Sequence, residues 1–570
     1  MRALWKLLIV LPATGWFWLP ALPGQSATMP LEAPAQHILD RLKISTDLAH
    51  GLHPELRPFT RRDAVQIALA ADSLAQQLSP LTQNDLHYLL DDNNEWLAAA
   101  DSLKVRKTKK PLFGVFYRTP ANLFEVNTPD FHLRVNPMLQ VALGPEQDHA
   151  SLVFLNQRGL EVRGDLDGRV YFYTNILETQ ARFPNYVNQW IESYQSVPGA
   201  GFYKKYNSTT FQVRNGYDFN LANAYIGARV TKHIDVQLGH GQHHIGNGYR
   251  SLWLSNAGNY TYFLKFNTRV WRLHYQNLFL ELSPISTAVP RPPNTLLPKK
   301  YVAAHYLNFQ ASPNLAFGFF EATVFNRSRQ FELQYLNPVI LYRSVEGMIG
   351  SPDNVLLGFD GRWNFLRRFQ LYGQLLIDEF LLSAVYKPEE KGWWGNKFGW
   401  QAGIKYINAF GLDHLDLQLE YNTVRPYTYS SFDSLNSYTH YNQPLAHPLW
   451  ANFKEIVGIA RYQPHPHWYF TARFLHARTG ENPESENLGA NPLLGNSSRV
   501  NDYGNITGQG IRTTINLFAL EARWQLWHNL YLETCFLLRQ KNSADTSRDL
   551  DTRYLTMGIR WNVWNRNRDF

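Results

Sequence analysis

From Phe131 onward, apolar and polar residues alternate in short runs, and the connections between runs are alternately short and long. A two-residue period sets one face of an extended run in a greasy medium and the other in water. In "HLDLQLEYN", Leu415, Leu417, Leu419 and Tyr421 alternate with Asp416, Gln418 and Glu420; in "YLTMGIRWNVW", Leu555, Met557, Ile559, Trp561 and Val563 alternate with Thr556, Gly558, Arg560 and Asn562. A soluble sandwich shares that pattern, so the connections have to decide. The short ones are DLDG (Asp165 to Gly168), TK (Thr231, Lys232), NTR (Asn267 to Arg269), SPN (Ser312 to Asn314), LRR (Leu366 to Arg368), AFGLD (Ala409 to Asp413), PHPH (Pro464 to His467) and HN (His528, Asn529). Between them lie long ones, Ala181 to Tyr217, His240 to Asn259, Ser283 to Lys300, Arg327 to Asn354, Pro426 to Asn452 and Gly480 to Arg512. Short turns on one rim and long loops on the other are the mark of an all-β transmembrane barrel of roughly eighteen antiparallel strands, with both ends on the short-turn side.

Composition agrees. After the first residues no apolar stretch approaches the roughly 18 residues of a membrane helix, yet 17 Trp, 31 Tyr and 34 Phe bring the aromatic fraction to 14%. Barrel strands reconcile the two facts, because they cross with about ten half-polar residues each and carry aromatic girdles at both rims. Trp271, Trp363, Trp468, Trp527 and Trp564 all fall near a short turn or the final strand's end, where one girdle is expected. The chain ends in Phe570 after an intervening NRNRD. The single cysteine, Cys535, excludes a disulfide scaffold. A formal charge of +8, two units of it from Arg2 and Lys6, is a mild excess that argues against a nucleic-acid partner.

Arg2 and Lys6 precede an apolar run that ends in small residues, so 1–27 reads as a signal peptide cut near Ala27, and the destination is the outer membrane of a Gram-negative bacterium. Residues 28–111 read as a periplasmic helical region and basic linker, and 112–570 as the barrel with long extracellular loops. Thr60 and Thr82 each stand three residues before an aspartate, Asp63 and Asp85, as in a capping box. Gly51 and Ser79-Pro80 supply stops, and Val65, Leu69, Leu74, Leu86, Leu89, Leu90 and Leu97 suit a small antiparallel bundle. "KVRKTKKP", Lys104 to Pro111, is a solvated connection or a lipid-headgroup contact.

"GHGQHHIGNGYRSLWLSN", Gly239 to Asn256, gathers three histidines beside glycines and an arginine. In an extended strand His240 and His244 are about 13 Å apart and His243 points the other way, so they share one ion only if Gly246, Asn247 and Gly248 make a turn. The glycines lack the helix of a phosphate-binding loop. The simpler reading is a tight loop, whose Tyr249, Arg250 and Trp253 stack on sugar or pack the loop itself. With Trp393, Trp394, Tyr427 and Tyr429 they form the candidate polysaccharide contacts, each with loop or girdle packing as its alternative. No helical zinc motif and no nucleophile elbow is present, so no catalytic residue, metal or cofactor is assigned and the chain reads as a non-enzyme. Inward charges such as Asp235, Asp378, Glu521, Arg523, Glu533 and Arg539 have mixed signs, which suits an ion-pair lattice better than a selective pore. "FELQYLNPVILYRSVEGMIGSPDNVLLGFDG", Phe331 to Gly361, is apolar for a loop; an inward plug with a short helix between Pro338 and Pro352 is expected, or else an exposed adhesive patch.

Four stretches, "FYRTPANLFEVNTPDFHLRVNP" (Phe116 to Pro137), "GNGYRSLWLSN" (Gly246 to Asn256), "ELQYLNPVILYRSVE" (Glu332 to Glu346) and "GSPDNVLLGFDGRWNF" with "QLYGQLLIDEF" (Gly350 to Phe365, Gln370 to Phe380), resemble the outer-membrane capsule assembly proteins of the Wzi type, in particular their RemB-like relatives in gliding motility. The resemblance implies an eighteen-stranded barrel with a periplasmic helical bundle and a lumen closed by loops. It also implies a lectin-like role in attaching capsular or other exopolysaccharide, with outer-membrane lipid around it and capsule export or motility proteins as partners. A porin or substrate channel is the alternative function.

Overall fold

The computed structural model describes residues 26–46, 52–72, 78–97, 101, 104–108, 116–209, 213–290, 292, 294–327, 330–339, 341–350, 353–564 and 566–570. Most of the expected signal peptide and the end of the basic linker lie outside them. Eighteen strands, from Phe131–Gly144 to Leu550–Trp561, pair antiparallel with their neighbours. The last closes on the first, from Met557 opposite Leu143 to Trp561 opposite Leu139. The alternation is inverted relative to a water-soluble protein. Leu419 is 55% exposed on the outside, whereas Asp416, Gln418 and Glu420 of the same strand, Leu415–Val424, are buried inside. Apolar side chains turned outward suit lipid, and the inward polar ones must find partners in the lumen. Trp271, Trp363, Trp468 and Trp527 form the exposed girdle at the short-turn rim. The turn expected at NTR falls at Trp271 and Arg272 instead, because Asn267 to Arg269 remain in register with Asp235 and His274 to Gln276.

Three helices, α1 (Pro34–Ser45), α2 (Arg61–Asp72) and α3 (Pro80–Asp92), share an apolar core that includes Leu39, Leu42, Val65, Leu86, Leu89 and Leu90. Thr60 caps α2 as expected, its Oγ1 accepting from Asp63 N at 3.1 Å. At α3 the cap is Ser79, whose Oγ accepts from Thr82 N at 3.2 Å. Ser79-Pro80 therefore starts a helix rather than stopping one, because proline's fixed φ and missing N–H suit the first turn. The bundle occupies the short-turn mouth. Asp63 pairs with Arg269 at 3.0 Å, Glu55 with Arg362 at 2.6 Å, Glu95 with Arg163 at 2.9 Å and Asp40 with Lys405 at 3.1 Å.

Two further segments fill the lumen. Residues 242–258 run inward, where Leu56 and Arg57 pair with Ile245 and His244, and Gly246 N donates to Glu55 O at 2.7 Å. The carboxyl end also turns back inside. Asn562 Nδ2 donates to Pro137 O at 2.9 Å, Val563 packs on Met138 and Leu177, and Phe570 meets Tyr186 of helix α4 (Asn185–Tyr194). Trp564 consequently stands apart from the girdle, half-buried with its ring 5.7 Å from the Arg560 guanidinium.

The apolar segment after Phe331 does form a short helix, α5 (Tyr342–Ile349), but it lies on the outer wall rather than in the lumen. Tyr335, Tyr342 and Val345 pack on Phe279, Tyr301, Ala303 and Phe325. Those four alternate with Leu278, Leu280, Val302 and Val324, which face the lumenal core. The strap covers polar residues that would otherwise face lipid: the Tyr342 ring sits 3.9 Å from that of His305, Arg343 N donates to Glu321 at 3.0 Å, and Tyr275 OH donates to Pro338 O. A polar wall at membrane depth needs such a cover more than the lumen needs another plug. The strap's own outer side is greasy, with Val339 84% and Met348 74% exposed.

Burial pushes His53 down to about 4 and His244 down to about 3, so both are neutral in the plug. His53 Nδ1 donates to Asn308 Oδ1 at 2.6 Å, with Glu55, Lys43, Arg269 and His274 around the ring. A histidine whose folded value is depressed favours folding above its ordinary 6.5, and that stability is lost as pH falls from 6.5 toward the folded value, by roughly 1.4 kcal/mol per unit for each group. Hydrogen exchange of residues 52–57, corrected for intrinsic rates, is expected to accelerate between pH 6.5 and 4.5 while the strands stay protected; unchanged protection would show that these histidines do not govern docking. For the strap, Tyr342→Ala should cost about 3 kcal/mol and Val339→Lys about 2 kcal/mol in urea unfolding from lipid vesicles. An unshifted midpoint for Val339→Lys would put that face in water.

Candidate ligand-binding face

The seven residues expected to touch polysaccharide separate into a lumenal group and a rim group. Tyr249, Arg250 and Trp253 belong to the loop inside the barrel. Glu420 accepts from Tyr249 N at 2.7 Å and Arg250 N at 3.0 Å, and Arg250 pairs with Glu455 at 2.9 Å. Tyr249 OH donates to Asp569 of the carboxyl end, and burial, reinforced by that carboxylate, raises its hydroxyl above the ordinary range. Trp253 is fully buried, stacked on Phe320 at 5.1 Å, with its Nε1 donating to Leu375 O at 3.2 Å. Gly358 makes room for it, since a Cβ there would come within 2.4 Å of Nε1. The three histidines diverge. His240 contacts Ala222 O at 2.7 Å, His243 lies edge-on to Phe263, and His244 is in the ribbon with Arg57. Among the described residues no group of three or more potential metal ligands is brought together. Gly246 takes φ +133°, so the glycine-rich turn is required, but for threading the lumen.

Tyr427 and Tyr429 are buried beneath the long-loop mouth. Tyr427 OH donates to Asn487 O at 2.9 Å and Tyr429 OH to Leu252 O at 2.8 Å, so they brace loops against one another and against the lumenal segment. Tyr249 of the lumenal group is partly exposed to the interior cavity, and within the rim group Trp393 and Trp394 alone retain surface. Their loop is stitched to a second one by backbone bonds: Trp394 N to Asp502 O at 2.8 Å, and Gly504 N to Lys391 O and Asn505 N to Gly392 O, both at 2.9 Å. Arg499 lies over the Trp394 ring at 4.2 Å and donates through Nε to Asp502 at 2.7 Å. Tyr503, 50% exposed, and Phe432, 71% exposed, extend the platform, Phe432 being held by Ser497 Oγ donating to its carbonyl at 3.1 Å. Aromatic faces can stack on sugar C–H surfaces, while Arg499 and Asp502 offer a donor and an acceptor for hydroxyl or acidic groups. Arg499, Asp502, Tyr503 and Phe432 escaped the sequence reading because they sit in irregular loops, where no period marks an exposed side chain.

Loops beside this platform are tied to one another. Gln443 Nε2 donates to Ser196 Oγ at 2.6 Å and to the carbonyls of Val197 and Ala200 at 3.1 Å, locking the 425–452 loop to the one that carries α4.

No family model and no curated protein sequence matches the chain. Among solved structures, it is similar to Wzi of Escherichia coli, described as a carbohydrate-binding β-barrel of the outer membrane involved in group 1 capsule assembly, at 14% identity and a TM-score of 0.55 over 95% of this chain and 100% of that one. OprD of Pseudomonas aeruginosa follows at 10% identity and 0.40 over 75% and 94%, and OccAB2 of Acinetobacter baumannii at 11% and 0.40 over 76% and 97%. At these identities the first likeness is one of fold, a closed outer-membrane-type barrel of eighteen strands with helices at its amino-terminal end.

Proposed function

We propose that the chain is a non-enzymatic outer-membrane barrel that binds polysaccharide at the cell surface through the Trp393–Trp394–Arg499–Tyr503 platform. The observation that carries this reading is a lumen filled from both ends beneath an ordered, half-exposed aromatic and charged platform on the long-loop side. The fold likeness to a carbohydrate-binding barrel supports it. In this reading 1–27 directs export, 28–111 forms the periplasmic bundle and linker, and 112–570 spans the membrane with its long loops outside. Attachment of capsular or other exopolysaccharide is the role proposed, and gliding motility is a setting in which such attachment would serve.

Purified protein in neutral detergent is expected to bind surface polysaccharide from its own cells saturably. The double variant Trp394→Ala/Arg499→Ala should bind at least fivefold more weakly, as about 1–3 kcal/mol of stacking and charge-assisted contact is lost. Wild-type protein that does not bind would remove the reading. In planar bilayers the wild type should give no steady open-channel current; steady conductance would favour a channel.

A further inference from the structure

A cavity of about 330 Å³ lies inside the barrel between α1, the wall strands and the carboxyl-terminal tail, and it is lined by an excess of guanidinium groups. Its carboxylates are already engaged: Glu32 accepts from Asn256 Nδ2 at 2.6 Å with the Arg566 charge nearby, and Asp85 meets His414 at 3.1 Å. Asp416 is held by Arg41 and His37, Asp40 by Arg57 and Lys405, Glu521 by Arg473 at 2.6 Å, and Asp569 by Arg473 at 3.1 Å and by Tyr249. The carbonyl of Phe570 accepts from Arg539 Nε at 2.8 Å.

Four arginines remain without a described carboxylate at ion-pair distance. Arg461 and Arg523 stand on the wall strands Phe453–His465 and Ile511–Trp527, and Arg566 and Arg568 stand on the tail. Arg461 is held only by a weak donation to Gln418 at 3.3 Å. Arg523 leans 5.8 Å from the Tyr469 ring, and its Nε is buried without a hydrogen-bond partner. Arg566 donates to Gly258 O at 3.3 Å, while Arg568 lies 4.3 Å over Phe183 with its Nε likewise unpartnered. Asn567, between the last two, keeps exposed surface and lines the same cavity. Arg163, Arg269, Arg362 and Lys405 of the wall each meet a carboxylate, whereas these four like charges line one space of small-ligand size.

We infer that this chamber binds an oxyanion, carboxylate or phosphate, carried on a small molecule up to about the size of a sugar acid. Guanidinium forks suit both groups, because each presents paired N–H donors to two oxygens. The site is separate from the surface platform and does not depend on it. Access runs beside α1, where the side chain of His37 at the chamber's edge keeps 34% of its exposure.

The test is titration calorimetry of the full chain in neutral detergent and low salt, with inorganic phosphate, D-glucuronate and, as the neutral counterpart, D-glucose. Saturable binding of phosphate or glucuronate but not glucose is expected, weakened at least tenfold in both Arg461→Gln/Arg523→Gln and Arg566→Gln/Arg568→Gln. Folding of each variant is checked by heat-modifiable gel mobility, and the tail pair, lying outside the strands, guards against failure of the wall pair to fold. Binding of one anion alone assigns the source as phosphate or sugar acid. If neither anion binds, or if binding survives in both double variants, the chamber is not an anion site. Loss in Trp394→Ala with both arginine pairs silent would place the anion on the surface platform and overturn the inference equally.

Discussion

The charged lattice between the inner wall and the inserted segments is the constraint on which the architecture depends. With apolar side chains turned to the outside, the lumen of an eighteen-strand barrel is left with the polar half of every strand, and a charge removed from bulk water must be matched there. The wall supplies Arg163, Arg269, Arg362 and Lys405, and the helical region answers with Glu95, Asp63, Glu55 and Asp40. Neither partner has a stable setting alone: removing one member of such a buried pair costs on the order of 3–5 kcal/mol, far more than the pair itself contributes. The bundle is therefore a component of the barrel's interior, and the region with the strongest helical pattern completes a β fold.

The same accounting explains the glycine and histidine stretch at Gly239 to Asn256. Its Arg250 finds Glu455, its backbone N–H groups find Glu420, and its Trp253 enters a slot that Gly358 leaves open. These are the interactions of a segment threaded through a lumen. Its composition resembles that of a metal or sugar site because a tight, polar, partly aromatic loop uses the same residues whether it meets a ligand or meets its own barrel.

What the sequence made legible follows from how local each signal is. Period-two alternation and turn residues act over a few positions, so the strands and their number could be read directly; the NTR turn slipped because Asn267 to Arg269 are ordinary strand residues that mimic a turn in composition, and the connections at 145–152, 380–396 and 544–549 are missing from the expected long ones. The cap at Thr60 was legible for the same reason, whereas Ser79-Pro80 has two readings, stop or start, and only the packing of Leu86 and Leu89 in the bundle core selects one. The placement of the apolar strap was not legible, since its cause lies in His305 and Glu321, polar residues on the outward face of strands distant in sequence or hidden by alternation. The tail was misread in part because Trp564 carries the signature of a girdle residue while Val563 has an inward partner, Met138, at the other end of the chain.

Filling the lumen has a consequence for where recognition can occur. Once the bundle, the 242–258 loop and the tail occupy the interior, the long-loop side offers a surface and the interior keeps separate cavities, of which the arginine-lined chamber of about 330 Å³ is one. The platform around Trp394 is built accordingly: backbone bonds tie the 391–394 and 502–505 segments together, and Tyr427 and Tyr429 anchor the neighbouring loop downward through Asn487 and Leu252. Under the proposed function, loops fixed in this way would lose little conformational freedom on meeting a flexible chain of sugars, and more of the contact energy would be retained as affinity. In the proposed role the buried tyrosines serve through that rigidity, since Tyr427 and Tyr429 are themselves buried.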